Sequence, residues 1–257
     1  MTSNFFRRLK KKIKRKILGK KTNDLAYILC KGKGLEIGAM DNPYQFSIDC
    51  DLEYADIHDS DTLRKIIDTI PDIPFYQKKI INPKYLLSAP KYELDEIEDN
   101  SFDFVFSSNT LEHTPNPINS LYDQIRITKE NGIIYCVIPN KKYTYDKLRK
   151  STDVNYLIEK YEKKIFSHSI DEALDVITNT TGHPLYEKYK LNKTEYAKKM
   201  ISAKEGIHHY YVFDEFNTLD ILKYLILKKK VIIEYFSAPI KQDIHFAIKK
   251  LFNNYDF

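Results

Sequence analysis

The chain has 257 residues, 42% hydrophobic and 30% charged, which supports one core of ordinary size and excludes a chain disordered throughout. Its formal charge of +5 is uneven: ten of the 41 Lys and Arg and none of the 36 Asp and Glu lie in residues 1–21. Residues 22–257 therefore hold 31 basic against 36 acidic side chains, a net of −5, and the basic balance gives no reason to read the body as a nucleic-acid binder.

Residues 1–21 place Phe5, Phe6, Leu9, Ile13 and Ile17 mostly four apart among basic residues, which predicts a helix with one narrow apolar stripe. Such a segment suits peripheral contact with an anionic membrane; a solvated tail, or a helix docked on the acidic body, suits it as well. Gly32 to Ala39 (GKGLEIGA) predicts a short apolar strand that ends in glycine, with an acid just before the turn. Residues 53–56 predict a second strand ending in Asp56, and Phe102 to Ser107 (FDFVFS) a denser one. Asn116 to Lys129 has helical spacing through Ile118, Leu121, Tyr122, Ile125 and Arg126. Asn131-Gly132 then turns the chain into the buried-strand pattern Ile133 to Ile138, closed by Pro139. Residues 141–213 fit neither style of strand and hold four of the seven His; they predict a helical, loop-rich insertion after the fifth strand. Asp214 is a good N-cap for a helix through Phe216, Leu219, Leu222 and Leu225. Strands at Val231 to Phe236 and Ile244 to Ile248 follow. Strands alternating with helices predict a mostly parallel α/β sheet.

The three cysteines, Cys30, Cys50 and Cys136, are scattered and form no C-x-x-C, which suits a reducing compartment. No apolar run approaches the ~20 residues of a membrane span, and the N-terminus lacks the apolar stretch of a secretory signal. The expected location is cytoplasmic, with peripheral contact at the inner face of the membrane through residues 1–21.

Open α/β sheets take ligands at the carboxyl ends of their strands. The first turn runs G-x-G-x-x-x-G and continues into Asp41-Asn42-Pro43, a poor cradle for a pyrophosphate. An adenosyl ligand without phosphates asks for something else: close backbone approach at Gly38, a carboxylate for its ammonium group, and an acid at the next strand's end for its ribose. Asp56 lies 18 residues past Gly38, near the spacing expected of a ribose acid.

KGLEIGAMDNP resembles motif I of the class I S-adenosylmethionine-dependent methyltransferases, and FDFVFSSNTLEHTPNP resembles their fourth-strand motif. The likeness covers residues 32–140 and, more weakly, 214–250. It implies a Rossmann-like sheet with helices on both faces. Residues 22–257 would form the methyltransferase domain, with 141–213 as a substrate cap. It also implies S-adenosylmethionine as cofactor and S-adenosylhomocysteine as product. The motif acid maps to Glu36, the loop to Gly38 and Ala39, and the ribose acid to Asp56, with Asp49 and Asp51 as rivals. Ser108 would approach the methionine part. The third-strand adenine acid has no clean counterpart; Glu93 and Asp95 stand nearest. Met40 and Asn42 occupy positions where the family often has further glycines.

A hydroxyl acceptor needs somewhere for its proton to go, so a His or carboxylate is expected near the cofactor face. His113, in Leu111-Glu112-His113, is one candidate, equally suited to holding the Pro115–Pro117 loop. His208 and His209 are the others; on an extended segment their rings face opposite ways. Pro139 to Asp146 (PNKKYTYD) and His209 to Phe213 (HYYVF) also resemble methyltransferases of bacterial surface-polysaccharide synthesis, which adds Asp146. Asp146, His113 and His209 could also form a divalent-metal site, since some sugar methyltransferases use magnesium. They show no metal-ligand spacing and hard cations prefer several oxygens, so a metal is the lesser expectation but is not excluded. The leading expectation is O-methylation of a sugar or sugar-linked group in capsule assembly. Alternatives are N-methylation, a quinone or lipid-precursor acceptor, and a non-catalytic scaffold with an RNA- or membrane-binding tail.

Overall fold

The computed structural model describes residues 25–68, 80–88, 91–203, 206–238 and 243–252. The basic segment 1–21 lies outside them. The apolar runs read from the sequence meet in one sheet. Among the described residues β1 (Lys33–Ile37), β2 (Asp51–Asp56), β3 (Tyr85–Leu86), β4 (Phe102–Ser108) and β5 (Thr128–Ile138) are parallel. β7 (Ile244–Lys250) lies antiparallel between β5 and β6 (Val231–Ser237). The order β3-β2-β1-β4-β5-β7-β6 is that of the Rossmann-like class I methyltransferase sheet. The strand order reverses between β1 and β4, and that switch point is where a doubly wound sheet opens a crevice for ligand.

Side chains alternate along β5 and so build a core on each face. Ile134, Cys136 and Ile138 join Ile118, Leu121 and Ile125 of α3 (Pro117–Ile127) and Ile221, Leu222 and Leu225 of α8 (Glu215–Lys228). Ile133, Tyr135 and Val137 face the other way, toward Phe104, Phe106, Phe46 and α1 (Leu25–Leu29). Gly34 makes that aromatic layer possible. Its strand partner is Phe104, whose Cζ would lie 2.0 Å from a Cβ at position 34. Gly34→Ala is expected to cost about 1–3 kcal/mol or more by overpacking, read as a lower urea midpoint at unchanged slope.

Helix ends follow their sequence signals. Asn116 caps α3 by accepting from the Asn119 N–H, with Pro117 in the first turn. Asp214 caps α8 by accepting from Phe216 and Asn217 N–H. Between β5 and α8, residues 141–213 hold α4 (Val154–Glu162), α5 (Ile170–Asn179), α6 (Pro184–Tyr189) and α7 (Lys193–Ala203). Three elements went unread in the sequence. α1 spans five residues and β3 only two, too short for any period to show. α2 (Ser60–Asp68) follows the turn after β2. β5 also starts earlier than the Asn131-Gly132 turn suggests. Thr128 pairs with Phe102, the register then shifts, and Asn131 takes φ +62° inside the irregularity.

Candidate active site

The carboxyl ends of β1, β2 and β4 lie side by side, because those strands are parallel neighbours. Glu36, one residue before the end of β1, is 3% exposed. Its Oε1 accepts from the Tyr44 N–H at 2.8 Å, while Oε2 is buried without a hydrogen-bond partner. Burial pushes this carboxyl up to about 7, against the pull of the Tyr44 N–H. Gly38 follows at φ +76°, and a Cβ there would sit 2.8 Å from Thr110 Oγ1 in the loop after β4. Only glycine takes this turn without strain and without displacing Thr110. Ala39 is buried beside it.

Asp56 ends β2 and is buried. Its Oδ1 accepts from the Ile57 N–H at 2.7 Å, and burial lifts it to about 6 against the N–H groups of Ile57 and His58. Of its rivals, Asp51 stands at the opposite end of β2 and Asp49 precedes that strand; both are exposed. Ser108 closes β4, and its carbonyl accepts from the Thr110 hydroxyl. Glu93 lies just past β3, bridged to Ser88 by its backbone, with Asn119 and Lys91 on its carboxylate. Asp95 is exposed. Asp41, which the sequence reading gave no role, is buried in the turn after Gly38, and its Oδ2 has no hydrogen-bond partner.

A second constellation stands at the end of β4. A short 3-10 turn, Leu111–His113, carries Glu112 and His113. Backbone N–H groups of Tyr210 and Tyr211 donate to the Glu112 carbonyl and dock segment 208–213 against this turn. His113 Nδ1 lies 2.9 Å from the His208 carbonyl, and His209 Nδ1 lies 2.7 Å from Asp146 Oδ2. Asp146 is itself clamped by Arg149 at 2.8 Å and by the Thr144 hydroxyl at 3.3 Å. Arg149 is fully buried and also holds Asp175 and the carbonyls of His209 and Tyr210. Burial pushes Asp146 up, but His209 and Arg149 overcome it and hold the carboxyl at about 2. Burial pulls His209 down, yet Asp146 and Glu112 leave it above its ordinary value.

The sequence candidates thus separate. His113, His209 and Asp146 come together. The ring of His208 is buried with its Nδ1 2.9 Å from the Tyr186 hydroxyl, and only its carbonyl serves the cluster. Glu112 was missed as a site residue, although it was visible beside His113. Its side chain is fully buried, neither carboxylate oxygen has a hydrogen-bond partner, and burial pushes it up to about 7.

Residues 73–136, from before β3 into β5, match the family model described as a methyltransferase domain. The strand order agrees with the class I methyltransferase fold that this match implies. The buried, unpartnered Glu36 Oε2 is the kind of atom that the ammonium group of S-adenosylmethionine would satisfy. No curated protein matches the chain. Solved structures resemble it at low identity. An S-adenosylmethionine-dependent methyltransferase from Methanosarcina mazei is 15% identical over 88% of this chain and 95% of its own, with a TM-score of 0.42. One from Aquifex aeolicus is 11% identical over 90% and 96%, at 0.43. A possible histamine N-methyltransferase from Thermotoga maritima is 13% identical over 97% and 100%, at 0.42. The chain spans 49% of the CurJ carbon methyltransferase chain, at 11% identity over 87% of its own length and a TM-score of 0.42. No helix among the described residues is long and apolar enough to cross a membrane.

Proposed function

We propose that this methyltransferase acts on a hydroxyl of a small polar acceptor, a sugar or sugar-linked group of a surface glycan. The observation that carries this reading is the set of hydrogen-bond acceptors after β4. Glu112 Oε1 lies 3.6 Å from His113 Nε2 and 3.9 Å from His209 Nε2. Both rings turn their Nδ1 toward an oxygen acceptor, so in the neutral rings both Nε2 atoms present lone pairs. An acceptor hydroxyl meets groups there that draw its proton. Bound S-adenosylmethionine supplies an activated methyl group on a sulfonium. Glu36 would hold its ammonium group, Gly38 and Ala39 would let it approach the backbone, and Asp56 would receive its ribose hydroxyls. The end of β4 and the segment 208–213 then orient the acceptor and keep water out.

The wall from the insertion supports a polar acceptor over a quinone or lipid precursor. It brings Asp146, His183, Tyr145 and Tyr186 to the same side, with Tyr145 and His183 rings 5.0 Å apart. Residues 1–21 would bring the enzyme to an anionic membrane, where such glycans are assembled. The test has two stages. Calorimetry on the full chain should show S-adenosylmethionine binding, and no binding at millimolar cofactor removes the reading. Methyl transfer from labelled cofactor is then screened over nucleotide sugars, glycan fragments, amines and quinone precursors. Turnover on sugars supports the proposal, and turnover confined to quinones or amines overturns it.

A further inference from the structure

Glu112, His113 and His209 come from two segments about 95 residues apart, and each aims one ligand atom at the other two. The three atoms lie within 4.8 Å of one another, and two of the separations are 3.6 and 3.9 Å. With Glu112 ionised and both rings neutral, all three are lone-pair acceptors. His113 Nδ1 faces a carbonyl and His209 Nδ1 a carboxylate, so in the neutral rings both protons sit on the far nitrogens and each Nε2 turns a lone pair toward the centre. Glu112 adds a fully buried carboxylate with no hydrogen bond on either oxygen. A buried group left in that state costs free energy unless something electropositive fills the space between.

We propose that Glu112 Oε1, His113 Nε2 and His209 Nε2 bind a divalent transition-metal cation, an extension that rests on reading the end of β4 as the acceptor side of the methyltransferase.

The geometry fits. Ligands at about 2.1 Å from an ion in tetrahedral array lie roughly 3.4 Å apart, and the separations of 3.6 and 3.9 Å contract to that with side-chain shifts of tenths of an ångström. The outer shell is also in place. Each metal-binding His is expected to donate its other N–H to a carboxylate or carbonyl; His209 does so to Asp146, and His113 to the His208 carbonyl. Asp146 is therefore an orienting residue behind His209, while Glu112 supplies the carboxylate ligand. Two imidazoles and one carboxylate favour zinc, iron(II), cobalt or manganese over magnesium or calcium, which prefer all-oxygen sets. Three protein ligands leave coordination positions open, as in catalytic rather than structural sites. The opening is real: the side chains of His113 and His209 are 18% and 32% exposed, although Glu112 behind them is closed off. The site also lies close to the cofactor turn. Thr110, two residues before Glu112, hydrogen-bonds the Ile37 carbonyl and packs on Gly38. An ion here would take an oxygen of the acceptor on its open side.

The test uses the full chain, stripped with chelator and then dialysed against cobalt(II) or zinc. Elemental analysis should find one ion per chain, and the cobalt form should show the visible absorption of a low-symmetry nitrogen and oxygen site. Glu112→Gln keeps the shape and removes the charge. It should lower metal affinity by about 10–100-fold or more while the circular dichroism spectrum is unchanged. Glu187→Gln, an exposed carboxylate on α6 paired with Lys190 and outside the cluster, should bind as the wild type does. No bound cobalt, or equal binding by Glu112→Gln, overturns the proposal. Cofactor calorimetry on the metal-free protein reads the methyltransferase assignment separately, so the failure of one is not mistaken for the failure of the other.

Discussion

A Glu36→Gln variant is expected to bind S-adenosylmethionine at least tenfold more weakly than the wild type and to melt at a higher temperature. The two effects have one origin. In the free protein Glu36 is 3% exposed, with one oxygen on the Tyr44 N–H and the other unpartnered. Ionising it at neutral pH costs free energy, which is why its carboxyl sits near 7 rather than near the ordinary 4.5. The sign of the linkage follows. The folded state holds the proton more tightly than the unfolded chain, so this group's contribution to stability falls as pH rises from about 4.5 to about 7. Glutamine keeps the acceptor for Tyr44 and never ionises. The variant should therefore gain on the order of 1–3 kcal/mol at pH 8 and lose that part of the pH dependence. The ammonium group of the bound cofactor reverses the balance, because a hydrogen bond to a charged partner is worth about 1.5–3 kcal/mol, or roughly tenfold or more in affinity. Calorimetry and thermal melts at pH 5 and pH 8 check both halves. Equal affinity would remove Glu36 from the cofactor site, and a lower melting temperature would make it a structural carboxylate instead.

The parts of this site differ in how far they could be read from the chain alone. Glu36, Gly38 and Asp56 lie within 21 residues, and the feature that matters is local: a strand that ends, a turn that needs a positive φ, and the next strand's end. The strands that carry them were legible because a buried parallel strand is a nearly continuous apolar run. The caps at Asn116 and Asp214 were legible because capping is decided within a few residues. The cluster after β4 is different in kind. His113 meets the His208 carbonyl 95 residues away, and His209 meets Asp146 across 63. Sequence placed three of these residues on a candidate roll by type, but it offered no way to see that Glu112 points into the same space. The residue looked like the ordinary polar neighbour of a histidine. Its burial depends on segment 208–213 folding over it, held by Tyr210 and Tyr211 N–H on its carbonyl and by Arg149 beneath. Likewise the sequence allowed His208 and His209 to face apart, but only the packing of Tyr186 shows which of them turns away.

That packing leads to the second large effect. His209→Ala is expected to reduce turnover by about 10²–10⁴-fold, the usual contribution of a positioned proton-handling or activating group. Cofactor affinity should stay within about threefold, because Glu36, Gly38 and Asp56 are untouched. The ring is held from behind by Asp146, which the buried Arg149 holds in turn, so its Nε2 is aimed before any acceptor arrives. His208→Ala should behave in the opposite way. That ring is 1% exposed and stands against Tyr186, so its loss should cost stability and leave turnover per folded enzyme near that of the wild type. Asp146→Asn separates orientation from chemistry. Asparagine retains the shape but can turn an amide toward the His209 Nδ1–H, releasing the tautomer. It also strips one of the two carboxylate partners from fully buried Arg149, which keeps Asp175, so the cost should stay below the about 3–5 kcal/mol of a buried charge left unpaired. Its turnover should fall by about 10–100-fold even in conditions where denaturation shows it folded. Single-turnover rates at saturating cofactor, with unfolding curves on the same samples, distinguish the three variants. Unchanged turnover in His209→Ala would move the acceptor's activation away from the end of β4.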